Sequence, residues 1–402
     1  MTRRLAALGS ALLLTLSATF AHAELPGLQL SGFGTLGMVF TGQSDLRFTN
    51  FGIDQPGSDN PDFAPDSVLG VQANMVFSPS TSAVLQLVSR ENPRGNYDPR
   101  ATLAFLSHSI SQDATVRLGR MRIPFFMLSD SLNINISNPW IRPPAEVYGL
   151  NPFTDLNGID LLYRTRVGSA DLEIHPYMGQ SSITIYSSGS ARLTRLMGVN
   201  LTLSTEQLTV FVGHGESQLT LHWGDDNFTV LESLMPPEVN AKLSGNDGYT
   251  TFSSAGFQWD DSEWLLIGEY AKRTASRYVN SGHGWHLTLG RRFGNIMPYV
   301  TIARQTQDRA VAQATFTDPF IGPYQTAALE GFLISRNGAQ RSITVGSRWD
   351  FRRDTALKVE FSHIQSTGNS WGNSFFPRGD PALTELRNRS VNMLGVALDV
   401  TF

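Results

Sequence analysis

Ser67-Val68-Leu69-Gly70-Val71-Gln72-Ala73-Asn74-Met75-Val76-Phe77 alternates with a period of two. Leu69, Val71, Ala73, Met75 and Phe77 share one face, and Gly70, Gln72 and Asn74 share the other. A strand places successive side chains on opposite sides of its sheet, so this stretch reads as a strand with one apolar and one polar face. Residues 158–167 repeat the pattern: Ile159, Leu161, Tyr163 and Val167 oppose Asp160, Arg164 and Arg166. It returns at the end of the chain, where Leu394, Val396, Leu398, Val400 and Phe402 alternate with Gly395, Ala397, Asp399 and Thr401.

The same search along the chain finds windows at 28–40, 67–77, 81–89, 101–109, 114–120, 158–167, 170–178, 195–204, 207–215, 250–259, 263–273, 283–293, 296–304, 341–351, 355–364 and 391–402. That is about sixteen strands. Their connections alternate in length. Short ones at 78–80, 111–113, 168–169, 205–206, 260–262, 294–295 and 352–354 carry turn residues. Between them lie long polar segments at 41–66, 121–157, 216–249, 305–340 and 365–390. An even strand count, short turns on one side and long loops on the other define an all-β transmembrane antiparallel β-barrel, with the turns periplasmic and the loops extracellular. Phe77, Trp259, Trp264, Phe293, Phe351 and Phe402 sit beside the short turns, where an aromatic girdle would meet the membrane interface. A secreted β-sandwich also has short strands, but its loops need not alternate in this way.

The bulk numbers agree. Mean hydropathy is −0.14, as expected of a wall in which only every second residue faces lipid. The 36 glycines and 10% aromatics suit tight turns and girdles. Arg3 and Arg4, the apolar run 5–16 and Ala21-His22-Ala23 read as a secretory signal peptide over 1–23, leaving a barrel over 24–402. Cleavage there removes two arginines and no acid, so the formal charge goes from −4 to −6, too mild for a nucleic-acid partner. Beyond Glu24 no apolar run approaches the ~18 residues of a spanning helix. Cysteine is absent, which excludes disulfides, zinc–thiolate sites and Cys nucleophiles. Lysine occurs only at 242, 272 and 358, so arginine carries most of the positive charge.

Several stretches resemble a known family. Gly32-Phe33-Gly34-Thr35-Leu36-Gly37 resembles the first strand of Gram-negative general porins, and Val116-Arg117-Leu118-Gly119-Arg120 the strand before their third, constricting loop. Gly119-Arg120-Met121-Arg122-Ile123-Pro124 and Trp140-Ile141-Arg142-Pro143-Pro144-Ala145-Glu146-Val147-Tyr148 resemble a proteobacterial porin-like group of unsettled substrate. The final Phe402 resembles the C-terminal signal by which outer-membrane proteins are recognised for insertion by the barrel-assembly machinery. The resemblance implies an outer-membrane location, a homotrimer, contact with lipid and lipopolysaccharide, and a third loop folded into the pore. One departure stands out: general porins often set a lysine-containing basic cluster against an acidic loop tip, and here the basic side is arginine alone.

A sixteen-stranded barrel is too wide for its own side chains to fill, and segment 121–157 is the candidate constriction. Arg120, Arg122, Asp130, Arg142, Glu146 and Asp155 would set opposed charges across it. Its prolines would stiffen it, and Phe125, Phe126, Trp140, Tyr148 and Phe153 would anchor it to the wall. Parity points Arg117, Asp160, Arg164, Arg166, Arg292 and Arg348 into the lumen, since a charge facing lipid costs about 2–4 kcal/mol at mid-membrane. Glu269, Asp350, Lys358 and Glu360 have lumen positions too. The arginine bias favours anions. Asp54, Asp59, Asp62 and Asp66 lack the spacing of a regular calcium loop, His283 and His286 fall on opposite faces, and no HExxH or GxSxG pattern occurs. No cofactor is expected. The functions compatible with this pattern are a passive porin for small hydrophilic solutes and ions, a porin preferring one solute class, and a closed barrel serving as adhesin or hydrolase. The first two are not enzymes. An energised transporter needs a plug and about 22 strands, for which the chain has no room.

Overall fold

The computed structural model describes residues 27–50, 54, 56–57, 60–187, 189–222, 226–377 and 387–402; the expected signal segment 1–23 lies outside them. The strands are β1 (Leu28–Thr41), β2 (Leu46–Phe48), β3 (Val68–Ser78), β4 (Thr81–Arg90), β5 (Arg100–Ser109), β6 (Ala114–Arg122), β7 (Asp155–Val167), β8 (Ala170–Ile185), β9 (Gly189–Ser204), β10 (Leu208–His222), β11 (Gly248–Asp260), β12 (Trp264–Ala275), β13 (Ser281–Arg291), β14 (Ile296–Arg309), β15 (Gln340–Arg352), β16 (Thr355–Ser366), β17 (Phe375–Pro377) and β18 (Ser390–Thr401).

Sixteen of these form one closed antiparallel barrel, each strand bonded to its sequence neighbours, and β1 pairs with both β3 and β18 to close it. The last residue completes the seam: the Phe402 amide donates to the Gly32 carbonyl (3.0 Å), and the Gly32 amide to the Phe402 carbonyl (2.7 Å). Closure leaves no sheet edge, the condition for β-structure in lipid. Each of the sixteen barrel strands overlaps one of the sixteen windows of alternating residues, and β8, β9 and β10 run six or seven residues further towards the loop end than the windows did. β2 and β17, which the alternation did not reveal, pair with each other in the first and last long loops.

The alternation does what the physics of a barrel wall requires. Leu69, Val71 and Phe77 stand exposed on the outside, while Gly70 is buried inward against the Phe33 ring. Phe77, Phe293, Trp349, Phe351 and Phe402 stand exposed on the outside at the short-turn end, and Tyr249, Tyr270 and Trp285, on the adjacent β11, β12 and β13, do so towards the loop end. These are two interfacial belts with an apolar band between them. Among the described residues no helix is long and apolar enough to cross a membrane.

Helices Asp226–Leu234, Pro237–Leu243 and Gly322–Ser335 stand in the long loops. Leu231, Met235, Val239, Leu243, Leu329 and Phe332 pack into a small apolar cluster with Tyr278 and Ala312. Isolated helices this short are marginal in water, so the cluster is what holds them. β6 runs on through Arg122 and β7 already begins at Asp155, so the third long loop proper is 123–154.

Candidate functional site

Loop 123–154 leaves the wall at a narrow neck. The Ile123 amide donates to the Thr154 carbonyl (3.0 Å), and Arg122 pairs with Asp155 across the root at 3.1 Å. The loop then runs across the inside of the barrel. Asn200 on β9 donates to the Pro124 carbonyl, and the Ser254 hydroxyl on β11 donates to the Phe125 carbonyl at 2.6 Å. Glu269 on β12 takes two loop donors: the Met127 amide (3.0 Å) and the Tyr148 hydroxyl (2.8 Å).

The far end of the loop is held by cations. The Lys358 ammonium on β16 donates to the carbonyls of Asn135 (2.6 Å) and Trp140 (2.8 Å), and it pairs with Asp399 on β18 at 2.8 Å. Arg348 on β15 donates to the carbonyls of Ile136 (2.6 Å) and Asn138 (3.0 Å) while gripping Asp350. The Trp140 indole donates to the hydroxyls of Thr288 and Thr301, both at 3.0 Å, and the Ile141 amide donates to Glu360 (2.9 Å). On the return limb Arg142 pairs with Asp66 from the first loop, Gln340 donates to Glu146 (3.0 Å), and Arg273 donates to the Leu150 carbonyl (2.6 Å).

Apolar packing supports these bonds. Phe125, Phe126, Tyr148, Leu150 and Phe153 are buried against Tyr177, Leu193, Leu196, Phe252 and Ala271 of β8, β9, β11 and β12. The rings of Phe126 and Tyr148 stack with centroids 4.5 Å apart, and Phe125 meets Phe252 at 5.1 Å. Lumen faces of a wide barrel are usually polar; here β8–β12 present an apolar strip, and the loop covers it.

The attachment is one-sided. Among the described residues, the loop's side-chain and main-chain bonds to the wall reach from β9 round to β18, where Arg142 donates to the Met393 sulfur at 3.8 Å, and none goes to β3 or β4. That opposite wall is polar: Gln72 donates to Asn74, Gln86 to Gln72 and Thr102 to Gln86, at 2.7–3.1 Å.

The expected site residues fall into distinct places. Arg117 faces inward and forks onto buried Asp160 (2.9 and 2.5 Å), which His175 also contacts at 2.9 Å. Asp130 is exposed at the turn Ser129–Ser131 of the loop and acts electrostatically on Arg117 and Arg122. Arg122, Glu146 and Asp155 are buried; Asp155 also draws Arg100 to 3.5 Å. Arg142 lies over the Phe48 ring at 4.7 Å, beside Asp66. Arg120 pairs in register with Ala104 and Asn157, in the alternation of exposed Leu118 on the outer face, and donates to Asn157 (2.9 Å). Arg164–Glu173, Arg166–Asp171 and Arg292–Asp260 are pairs at the short-turn end. Arg348 is a loop anchor. The structure therefore pairs Arg122 with Asp155 at the loop's root and Arg117 with Asp160 on the wall, sets Asp130 within electrostatic reach of both arginines, and sends the rest elsewhere.

Sequence reasoning did not single out Asp66, Asn200, Ser254, Arg273 or Asp399 as holders of the loop. Asn200, Ser254 and Arg273 bond a loop distant in sequence from wall strands, where inward parity was their one signal; Asp66 meets Arg142 from the first loop, and Asp399 acts through Lys358. Of the first-loop acids, Asp54 pairs with Arg90 and Asp66 with Arg142, and Asp59 lies outside the described residues. Among the described residues no group of three or more His, Asp or Glu is placed to hold a metal ion.

Glu91, just past β4 at the loop end, carries a pH signature. Burial, and after it the charges of Asp62 and Asp54, push its carboxyl up to about 7 against the pull of Arg90. The folded state favours the neutral form. That contribution to stability is complete below the usual carboxylate range and is lost as pH rises through about 7. Denaturant midpoints are expected to fall between pH 6 and pH 8, and Glu91→Gln to flatten the difference; an unchanged slope in the variant would show that another group titrates.

A closed sixteen-stranded barrel with an apolar outer band, two aromatic belts and an inward third loop is an outer-membrane barrel of porin architecture. Solved structures of similar shape bear this out. The anion-selective porin from Comamonas acidovorans is 13% identical, with a TM-score of 0.55 over 93% of this chain and 99% of that one. OmpF of Salmonella typhi in complex with daunomycin is 12% identical, with a TM-score of 0.56 over 93% and 97%. The outer-membrane channel DcaP of Acinetobacter baumannii is 11% identical, with a TM-score of 0.52 over 93% and 97%. No family model matches the chain, and no curated protein matches it in sequence. At these identities what is shared is the fold.

Proposed function

We propose that this protein is an outer-membrane channel through which small hydrophilic solutes and ions diffuse passively, with loop 123–154 as its constriction. The observation that carries this reading is the one-sided attachment of the loop, bonded from β9 round to β18 and, among the described residues, to neither β3 nor β4. A loop held to one wall leaves a passage along the other, lined by Gln72, Asn74 and Arg117, with Asp130 facing it from the loop. Arginines on the wall opposite a loop carboxylate set a field across the passage, which filters solutes by size and charge. The buried pairs Arg122–Asp155 and Arg142–Asp66 fix the loop's position. The wall arginines give a mild preference for anions.

The same reading assigns 1–23 to an export signal, Phe402 to recognition by the assembly machinery, and the working unit to a homotrimer in lipopolysaccharide. It assigns transport and no catalysed reaction. Liposomes containing the refolded chain are expected to swell in monosaccharides, more slowly in disaccharides, and hardly at all in larger oligomers. No swelling in any sugar, with the barrel folded, would contradict passive diffusion.

A further inference from the structure

Parity and register set two arginines against each other on the outside of the barrel. On β14 the outward residues are Ile296, Pro298, Val300, Ile302 and Arg304; on β15 they are Trp349, Ser347, Val345, Ile343 and Arg341. Val300 lies opposite Val345 and Ile302 opposite Ile343, all four exposed, and the next outward pair up is Arg304 opposite Arg341. Like charges directly across an antiparallel pair repel, and the repulsion grows where lipid lowers the local dielectric.

The height of the pair says what surrounds it. Arg304 is eight residues beyond Ile296, which at ~3.3 Å per residue and a tilt of ~40° places it about 20 Å above the lower belt. The apolar band of such barrels is about 25 Å tall, so the arginines stand at its upper rim. Exposed Trp285, an upper-belt residue, is the neighbour of Arg304 on β13. Lys272, outward on β12 and exposed, adds a third cation.

Among the described residues none of the three cations is in an ion pair. Arg341 donates twice to the neutral Gln365 (2.9 and 2.6 Å), which fixes its guanidinium. Arg304 and Lys272 stand exposed beside it, and Asp308, further along β14, is hydrogen-bonded to His283 at 2.6 Å. Three cations outside any ion pair at headgroup depth match a phosphate-bearing ligand, which arginine forks bind through paired N–H donors.

We propose that Arg304 and Arg341, flanked by Lys272, bind a phosphate of a phosphorylated glycolipid headgroup in the outer leaflet. The acyl chains would lie down the apolar rows below, over Ile302, Ile343, Val300 and Val345. The site rests on the membrane placement of the barrel and not on conduction, so its failure would leave the channel reading standing.

The test is native mass spectrometry of the refolded chain in detergent, titrated with bisphosphorylated lipid A, with the same lipid dephosphorylated, and with inorganic phosphate. Wild type is expected to bind the bisphosphorylated lipid at least tenfold more tightly than Arg304→Gln/Arg341→Gln, to bind the dephosphorylated lipid no better than the variant does, and to keep its lipid in excess inorganic phosphate. Should the double variant fail to fold, judged by heat-modifiable gel mobility, Arg304→Gln alone is expected to weaken binding about threefold or more. Equal binding by folded variants would overturn the site. Displacement by inorganic phosphate would overturn the lipid as its ligand.

Discussion

Replacing Lys358 with methionine is expected to cost about 3–5 kcal/mol of stability, the range for removing one partner of a buried ion pair. Lys358 and Asp399 are both fully buried, 2.8 Å apart, and the ammonium also carries the carbonyls of Asn135 and Trp140. Methionine fills similar space but leaves Asp399 with the Thr35 hydroxyl at 2.7 Å as its remaining neighbour of note. The loop would lose two of its anchors at the same time. Two losses are therefore superimposed, and a second substitution separates them. Lys358→Met/Asp399→Asn removes the stranded charge, so it should recover most of the stability while the loop stays loose. Denaturant unfolding reads the first loss and open-channel current noise reads the second. A single variant as stable as wild type would show that the pair holds nothing.

Trp140→Ala should be next in size, at about 3–5 kcal/mol for deleting a buried tryptophan. The side chain is 2% exposed and packs among Leu265, Ile267, Met297 and Tyr299. Its indole N–H bonds Thr288 and Thr301, but those hydroxyls lie 2.8 Å from each other and stay partnered when it goes. The cost is thus mainly lost packing. Trp140 sits between the Lys358 anchor and the Glu360 anchor, so the cavity frees the stretch of loop that lies deepest against β13 and β14. Conductance should rise and its noise with it. A quiet channel of unchanged conductance would place the constriction elsewhere.

The wall was legible in the sequence because lipid on one side and water on the other impose a period of two, and the short turns then divide the strands. The loop helices were not legible. Asp226–Leu234 and Gly322–Ser335 are held by an apolar cluster assembled from three segments, and polar composition hides such a cluster. At the site, parity was enough to turn Arg117, Asp160, Glu269, Lys358 and Glu360 inward. It could not pair them. Asp66 meets Arg142 across 76 residues, and Lys358 meets Asp399 through the register of β16 on β18. Arg120 shows the limit of motif over parity: the motif put it at the constriction, while two residues on from outward Leu118 the alternation sets it outside. The charges chosen from the loop sequence are mostly spent on holding the loop, because a segment crossing a barrel must satisfy its own carbonyls and amides.

The most direct test of a channel narrowed by its third loop is single-channel recording of refolded 24–402 in a planar bilayer under a salt gradient. Stepwise conductance in sets of three, with a reversal potential on the anion side, is the predicted result. A folded barrel that inserts and passes no current would contradict the account.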